Sequence, residues 1–210
     1  MGKPGIAGLY LGAGSSRRMG RCKLSIPLHD GGWLGGLALR EILRSKLDRV
    51  YIVTKDDEPA WLTDALSSAE AGKLERTVVK ALHAEAGMSH SIRSGLRAAA
   101  ASGADAVVIM LADQPFVTRE HLNRLIACFS KAPSLHYVAS NDGGGSMPPI
   151  LIASSLFPEL MKLEGDKGAR ELLRQSRFRG ETLMPFNPLE LADIDTEEEL
   201  AELKALTGWL

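Results

Sequence analysis

Short apolar stretches rich in β-branched residues recur along the chain at 6–11, 49–54, 76–80, 106–111 and 135–140. Between most of them the apolar positions shift to helical spacing, and 34–45, 59–69, 89–101, 118–130, 154–163, 167–175 and 196–206 read as helices. Strands covered by helices on both faces are apolar almost without a break, so this alternation predicts an α/β fold: a three-layer sandwich, a mainly parallel sheet flanked by helices. No linker or repeat interrupts the pattern, which predicts one domain over residues 1–210.

Local signals sharpen the picture. Thr118 precedes Arg119-Glu120, and Thr196 precedes Glu197-Glu198-Glu199, with Glu199 at the capping-box position. The acidic triplet reads as a first turn matched to the helix dipole, not as a ligand set for a metal. Segment 141–146, with three successive glycines, reads as a mobile loop able to close over a substrate.

Composition narrows the class of partner. The 210 residues carry a formal charge of -1 and no basic block, which argues against a nucleic-acid polymer and for a small substrate. No apolar run approaches a membrane span and no signal-like segment stands at the N-terminus, so a cytoplasmic location and no membrane association are expected. Cys22 and Cys128 have no Cys or His neighbour at metal spacing, which predicts neither disulfide nor zinc site.

The chemistry begins where the first strand ends. Leu11 is followed by Gly12-Ala13-Gly14-Ser15-Ser16-Arg17-Arg18-Met19-Gly20 and then Lys23, a glycine-rich cationic loop. Glycines let backbone N–H groups turn toward an anion, and Arg18 and Lys23 add full charge at the same rim. A dinucleotide fingerprint fails because Arg17 stands at the third glycine position, and a P-loop fails because no hydroxyl follows Lys23. A solvated charge run is the bland alternative. It loses ground because ligands in open α/β sheets gather at the carboxyl ends of strands.

Asp113, in Leu111-Ala112-Asp113-Gln114-Pro115, belongs at another strand's carboxyl end. It is a turn former or a metal ligand. A carboxylate beside a polyphosphate cradle repels it unless a divalent cation intervenes, which points to Mg²⁺. Asp193-Ile194-Asp195-Thr196 offers either solvated carboxylates before a helix or, through Asp195, a second ligand. Gly87, Ser89 and Ser91 open a helix, where Ser89 serves as a cap or the group reads a base or ribose. In Gly165-Asp166-Lys167-Gly168-Ala169-Arg170, Asp166 is expected to cap a helix, and Lys167 and Arg170 are positioned to meet an anionic second substrate. No nucleophile elbow or triad is present.

Together, Leu11-Gly12-Ala13-Gly14, Ser16, Arg18-Met19-Gly20, Lys23-Leu24, Gly87-Met88-Ser89, Ser91, Asp113-Gln114-Pro115, the 165–170 segment and Asp193 to Thr196 resemble the molybdenum cofactor cytidylyltransferase family, within the nucleotidyltransferase A superfamily. The resemblance implies a Rossmann-like sheet and transfer of CMP from CTP to the molybdopterin cofactor, releasing pyrophosphate, for a molybdenum hydroxylase client. It also implies that Leu11 and Gly12 to Gly14 bind the nucleotide with Gly87, Ser89 and Ser91. Arg18 and Lys23 would neutralise the triphosphate, and Asp113 and Asp195 would hold Mg²⁺. Related guanylyltransferases show G-G-x-D-K-G after the arginine, whereas Gly20-Arg21-Cys22-Lys23-Leu24 with Pro27-Leu28 resembles the CTP-using branch. Gly12 departs from the family's usual alanine, and 146–152 only partly matches its His-Pro-x-Leu-Phe segment. Two other readings stand beside this one: a sugar phosphate or other alcohol phosphate as acceptor, and a non-catalytic accessory delivering cofactor to xanthine dehydrogenase.

Overall fold

The computed structural model describes residues 4–14, 19–28, 32–56, 58–67 and 74–207, apart from the side chains of 203, 204, 206 and 207. Seven strands form one sheet: β1 (Ile6–Leu11), β2 (Arg49–Thr54), β3 (Glu75–Lys80), β4 (Ala106–Leu111), β5 (Tyr137–Asn141), β6 (Ser146–Ala153) and β7 (Gly180–Leu183). Their spatial order is β3-β2-β1-β4-β6-β5-β7, and every pairing is parallel except those of β6 with β4 and β5. The helices are α1 (Leu34–Leu43), α2 (Ala60–Ser67), α3 (Met88–Ala101), α4 (Arg119–Lys131), α5 (Phe157–Leu160), α6 (Ala169–Leu173) and α7 (Glu197–Thr207).

Side chains alternate across the pleat, so each central strand feeds two cores. From β1, Ile6 and Tyr10 join the core under α1, α2 and α4, while Ala7, Leu9 and Leu11 join the one under α3, α5 and α6. Val50 and Ile52 of β2 and Val108 and Met110 of β4 follow the first set; Val53, Val107 and Ile109 follow the second. A third, smaller cluster matters more for function. Met19, Ile26 and Leu28 from the segment after β1 pack with Leu34, Ile194 and Leu200 and so fasten that segment to the C-terminal one.

Two strands escape the sequence pattern. β6 contains Pro148 and Pro149, which argue against a strand; it is accommodated where the β5–β6 register shifts at Ala139/Ser140. β7 is a four-residue edge strand with no apolar run. Segment 141–146 is the end of β5, a tight turn and the start of β6. In the turn, Asn141 Oδ1 accepts from Gly143 N at 2.8 Å and Asp142 Oδ1 from Gly144 N at 2.7 Å, so the glycine-rich segment is the tip of a β5–β6 hairpin with its own side-chain caps. The helix expected at 154–163 is a 3-10 turn followed by the single turn of α5.

Candidate active site

The chain runs from β1 to β2 and β3 on one side of β1, and β4 lies on its other side, so the strand order reverses between β1 and β4. Such a switch point opens a crevice at the carboxyl ends of the strands. Leu11 and Leu111, register partners at those ends, both line a cleft of about 330 Å³ there.

Three charged side chains from distant parts of the chain converge in it. Lys23 sits in a short 3-10 turn, Lys23–Ser25, anchored by the burial of Leu24 and Ile26. Only 8% of Lys23 is exposed. Its Nζ donates to Asp113 Oδ2 at 2.7 Å and to Asp195 Oδ1 at 2.7 Å, so those two carboxylate oxygens lie at most twice 2.7 Å, or 5.4 Å, apart. Burial alone would lower the lysine pKa, but the charge of Asp113 and the hydrogen bonds to Asp113 and Asp195 outweigh it and hold the ammonium above its ordinary value.

Backbone bonds explain why Asp195 arrives here. Ile194 N donates to Asp113 O at 3.0 Å, and the Gln114 amide donates to Leu191 O at 3.1 Å and to Pro148 O at 3.3 Å, pinning the C-terminal segment and β6 beside Asp113. The predicted capping box then fixes the turn that carries Asp195. Glu199 accepts from Asp195 N and Thr196 N at 2.7 and 2.9 Å, while Glu199 N donates to Thr196 Oγ1 at 3.1 Å. Arg21 makes a bidentate pair with Glu197 across the same junction, at 2.9 Å for each bond.

Negative charge is concentrated around the pair. Loss of hydration, then the charges of Asp113 and Asp195, raise the Asp193 carboxyl to about 6. Asp113 Oδ1 is buried with no hydrogen-bond partner among the described residues. Two carboxylates, one with an orphaned oxygen, fit Mg²⁺, which takes few protein carboxylates and completes its shell with phosphate oxygens and water. Among the described residues no cluster of three or more His, Cys, Asp or Glu is arranged for a metal. The described residues therefore form no closed all-protein metal cage.

The glycine loop divides by role. Gly12 N donates to Val53 O at 2.8 Å, and a Cβ there would come within 2.8 Å of the buried Trp61 ring. The expectation that Gly12 offers its N–H to a phosphate is therefore corrected: it packs the end of β1 against α2. Trp61 fills the space a Cβ at position 12 would use. Ala13 and Gly14 line the cleft, and their N–H groups make no hydrogen bond with the described residues. A Cβ on Gly14 would meet open space, which leaves room for a ligand. Arg18 and Ser16 lie outside the described residues.

The α3 side of the cleft also sorts itself. Ser91 and Gly87 line it. Ser89 does not: it is fully buried, its N–H donates to Gly165 O at 3.1 Å, and the cap of α3 is Gly87, with no side-chain bond. Gly87 holds φ +119, and a Cβ on it would come within 2.3 Å of the Gly165 carbonyl, so only glycine lets these two loops meet. Asp166 does not cap α6, whose N-cap is Gly168; it lines the cleft with Glu85 and Met88. Sequence reasoning missed Glu85 and Met88, although the glycine beside them marked the close approach.

The model of the MobA-like NTP transferase domain matches residues 8–180. Over 202 residues the chain is 39% identical to the purine catabolism protein PucB of Bacillus subtilis (strain 168), covering 95% of this chain and 96% of that one. The crystal structure of the Mycobacterium tuberculosis rv0371c homolog from Mycobacterium sp. strain JC1 superposes with a TM-score of 0.75 at 26% identity over 96% of each chain. Molybdopterin-guanine dinucleotide biosynthesis protein A from Archaeoglobus fulgidus shares the fold, with a TM-score of 0.67 at 18% identity over 97% of this chain and 98% of that one. The cleft at the switch point, the family match over most of the chain and a relative matching it nearly end to end identify the protein as a nucleotidyltransferase of the MobA-like NTP transferase family.

Proposed function

We propose that the protein transfers CMP from CTP to the terminal phosphate of the molybdopterin cofactor, releasing pyrophosphate, in the maturation of a molybdenum hydroxylase. The observation that carries this reading is the Lys23 ammonium held between Asp113 and Asp195 beside the open N–H groups of Ala13 and Gly14. The 39% identical relative is named for purine catabolism, and hydroxylation of purine rings is the chemistry of molybdenum hydroxylases such as xanthine dehydrogenase. The choice of CTP rests on the resemblance of the 20–28 segment to the CTP-using branch.

In this reaction an oxygen of the acceptor phosphate attacks the α-phosphorus of CTP, the bond from that phosphorus to the bridging oxygen breaks, and pyrophosphate leaves with the bonding electrons. No protein nucleophile is needed; the task is to align two polyanions that repel each other. The Ala13 and Gly14 N–H groups donate to the triphosphate oxygens, and Lys23 supplies positive charge. One unit charge pair at ~4 Å is worth about 4 kcal/mol at an effective dielectric of ~20, so a few such contacts offset several phosphate charges. Ser91 and Gly87 flank the nucleoside. Mg²⁺, held by Asp113 and Asp195, would neutralise phosphate charge in the same place. Arg18 adds to the phosphate side by the family resemblance.

The test is pyrophosphate release with each of the four NTPs and purified molybdopterin cofactor. Release with CTP that depends on the cofactor supports the reading. Release with CTP and a sugar phosphate but not the cofactor, or cofactor binding without any release, replaces it.

A further inference from the structure

Two charged pairs join the segment after β1 to the segment that leads into α7. The inner pair is Lys23 with Asp195, at 2.7 Å. The outer pair is Arg21 with Glu197: Arg21 Nε and Nη2 each donate to one carboxylate oxygen at 2.9 Å, the two-pronged geometry in which arginine holds a carboxylate best. Residue numbers rise along one segment as they fall along the other, so the two pairs follow each other like rungs. Their surroundings differ. Lys23 is buried and lines the cleft, whereas Arg21 and Glu197 do not line it and their side chains are 53% and 51% exposed.

The inner rung has to give way in the reaction proposed above. Lys23 supplies charge to a triphosphate only as its bonds to Asp113 Oδ2 and Asp195 Oδ1 loosen, yet Lys23 and Asp195 must both stay in the cleft when they part. On the C-terminal side the anchors are internal: Ile194 N is bonded to Asp113 O, and Glu199 holds the turn of Asp195. The side that carries Lys23 is looser. Between the buried Met19 and Lys23, residues Gly20, Arg21 and Cys22 are exposed and belong to no helix or strand, with Gly20 at φ +63. Arg21 ties this exposed turn to the first turn of α7.

We propose that Arg21 and Glu197 are positioning residues, whose clasp keeps Lys23 and Asp195 opposite each other while the bond between them yields to triphosphate and Mg²⁺. This rests on the nucleotidyl-transfer reading above. It also divides the cations of the glycine loop by duty: Lys23 meets phosphate, and Arg21 holds the frame.

The test is an exchange of charges. Binding of CTP to the full chain, without acceptor, is followed by calorimetry at rising free Mg²⁺, and the series is repeated with inorganic tripolyphosphate, which has no base to be recognised. Arg21→Glu and Glu197→Arg each turn an attraction into a repulsion of similar size, so each should raise the Mg²⁺ needed for half-maximal binding about tenfold at low salt. In about 0.5 M NaCl the increase should shrink to under about threefold. The double variant Arg21→Glu/Glu197→Arg should return to within about twofold of wild type. Single variants that need no more Mg²⁺ than wild type overturn the proposal, even if urea unfolding shows them less stable, because the pair would then be a surface salt bridge alone. A double variant as impaired as Arg21→Glu overturns it too, and makes Arg21 a phosphate ligand. Failure of the CTP reading looks different: wild type then binds tripolyphosphate with Mg²⁺ but not CTP, and the comparison among variants still decides the clasp. Binding of neither overturns both.

Discussion

Replacing Lys23 with methionine keeps the buried stem and removes the ammonium that lies 2.7 Å from both Asp113 and Asp195. Two carboxylate oxygens at most 5.4 Å apart then face each other without the ammonium between them. At that spacing and an effective dielectric of ~20 the repulsion is about 3 kcal/mol. Asp195 is 38% exposed at its side chain, so solvent screening reduces this to about 1–2 kcal/mol, and the lost charge-assisted hydrogen bonds bring the expected destabilisation to about 2–3 kcal/mol. Urea unfolding in EDTA and in Mg²⁺ separates the causes. Lys23→Met should be weakened in EDTA and should regain most of its stability in Mg²⁺, more than wild type gains, because no ammonium competes for the carboxylates. Adding Asp195→Asn should also restore it without metal. Equal stability of variant and wild type in EDTA, or an equal Mg²⁺ effect on both, would refute the charge argument.

Two further predictions concern packing and pH. Gly12→Ala drives a Cβ to 2.8 Å from the Trp61 ring and should cost about 1–3 kcal/mol by overpacking; in a Trp61→Leu background the same change should cost under about 0.5 kcal/mol, and an unchanged penalty there would dissociate Gly12 from Trp61. Burial, and then the charge of Arg124, lower the pKa of His121 to about 4 from 6.5. Because the folded state binds the proton more weakly, the stabilisation is complete above about 6.5 and is lost as pH falls toward 4, about 3 kcal/mol in all. His121→Gln should flatten that slope in urea titrations between pH 7 and 4.5, and parallel slopes would assign the acid sensitivity elsewhere.

The sequence was most legible where both faces of a strand are buried. β1, β2 and β4 end where the apolar runs end, because any residue between them has to be apolar to sit between two helix layers. β6 was hidden by Pro148 and Pro149, whose place in the sheet depends on tertiary bonds from Gln114 and Ser140. The site followed the same division. Lys23, Asp113 and Asp195 were legible as charged groups of one cleft, but the direct ion pairs of Lys23 with both aspartates were not, because the sequence pairs the lysine as readily with phosphate and the aspartates with a cation. Gly12 and Ser89 misled because a glycine in an anion loop and a serine at a helix start look alike whether they touch a ligand or a neighbouring loop; Trp61 and Gly165 decide the matter, and neither is near in sequence. Asp166 read as a helix cap because the contact between Gly87 and Gly165 that turns it into the cleft is long-range.

The most direct test of the central claim is a single-turnover reaction with CTP labelled at the α-phosphorus, purified molybdopterin cofactor, and wild-type or Asp113→Asn protein. The account predicts that the label passes from CTP to the cofactor with the wild-type protein, and that Asp113→Asn slows the transfer by at least about 10² while the variant still unfolds cooperatively, with Lys23 still paired to Asp195. Label that remains in CTP with the wild-type protein, or that moves at the wild-type rate in Asp113→Asn, would contradict it.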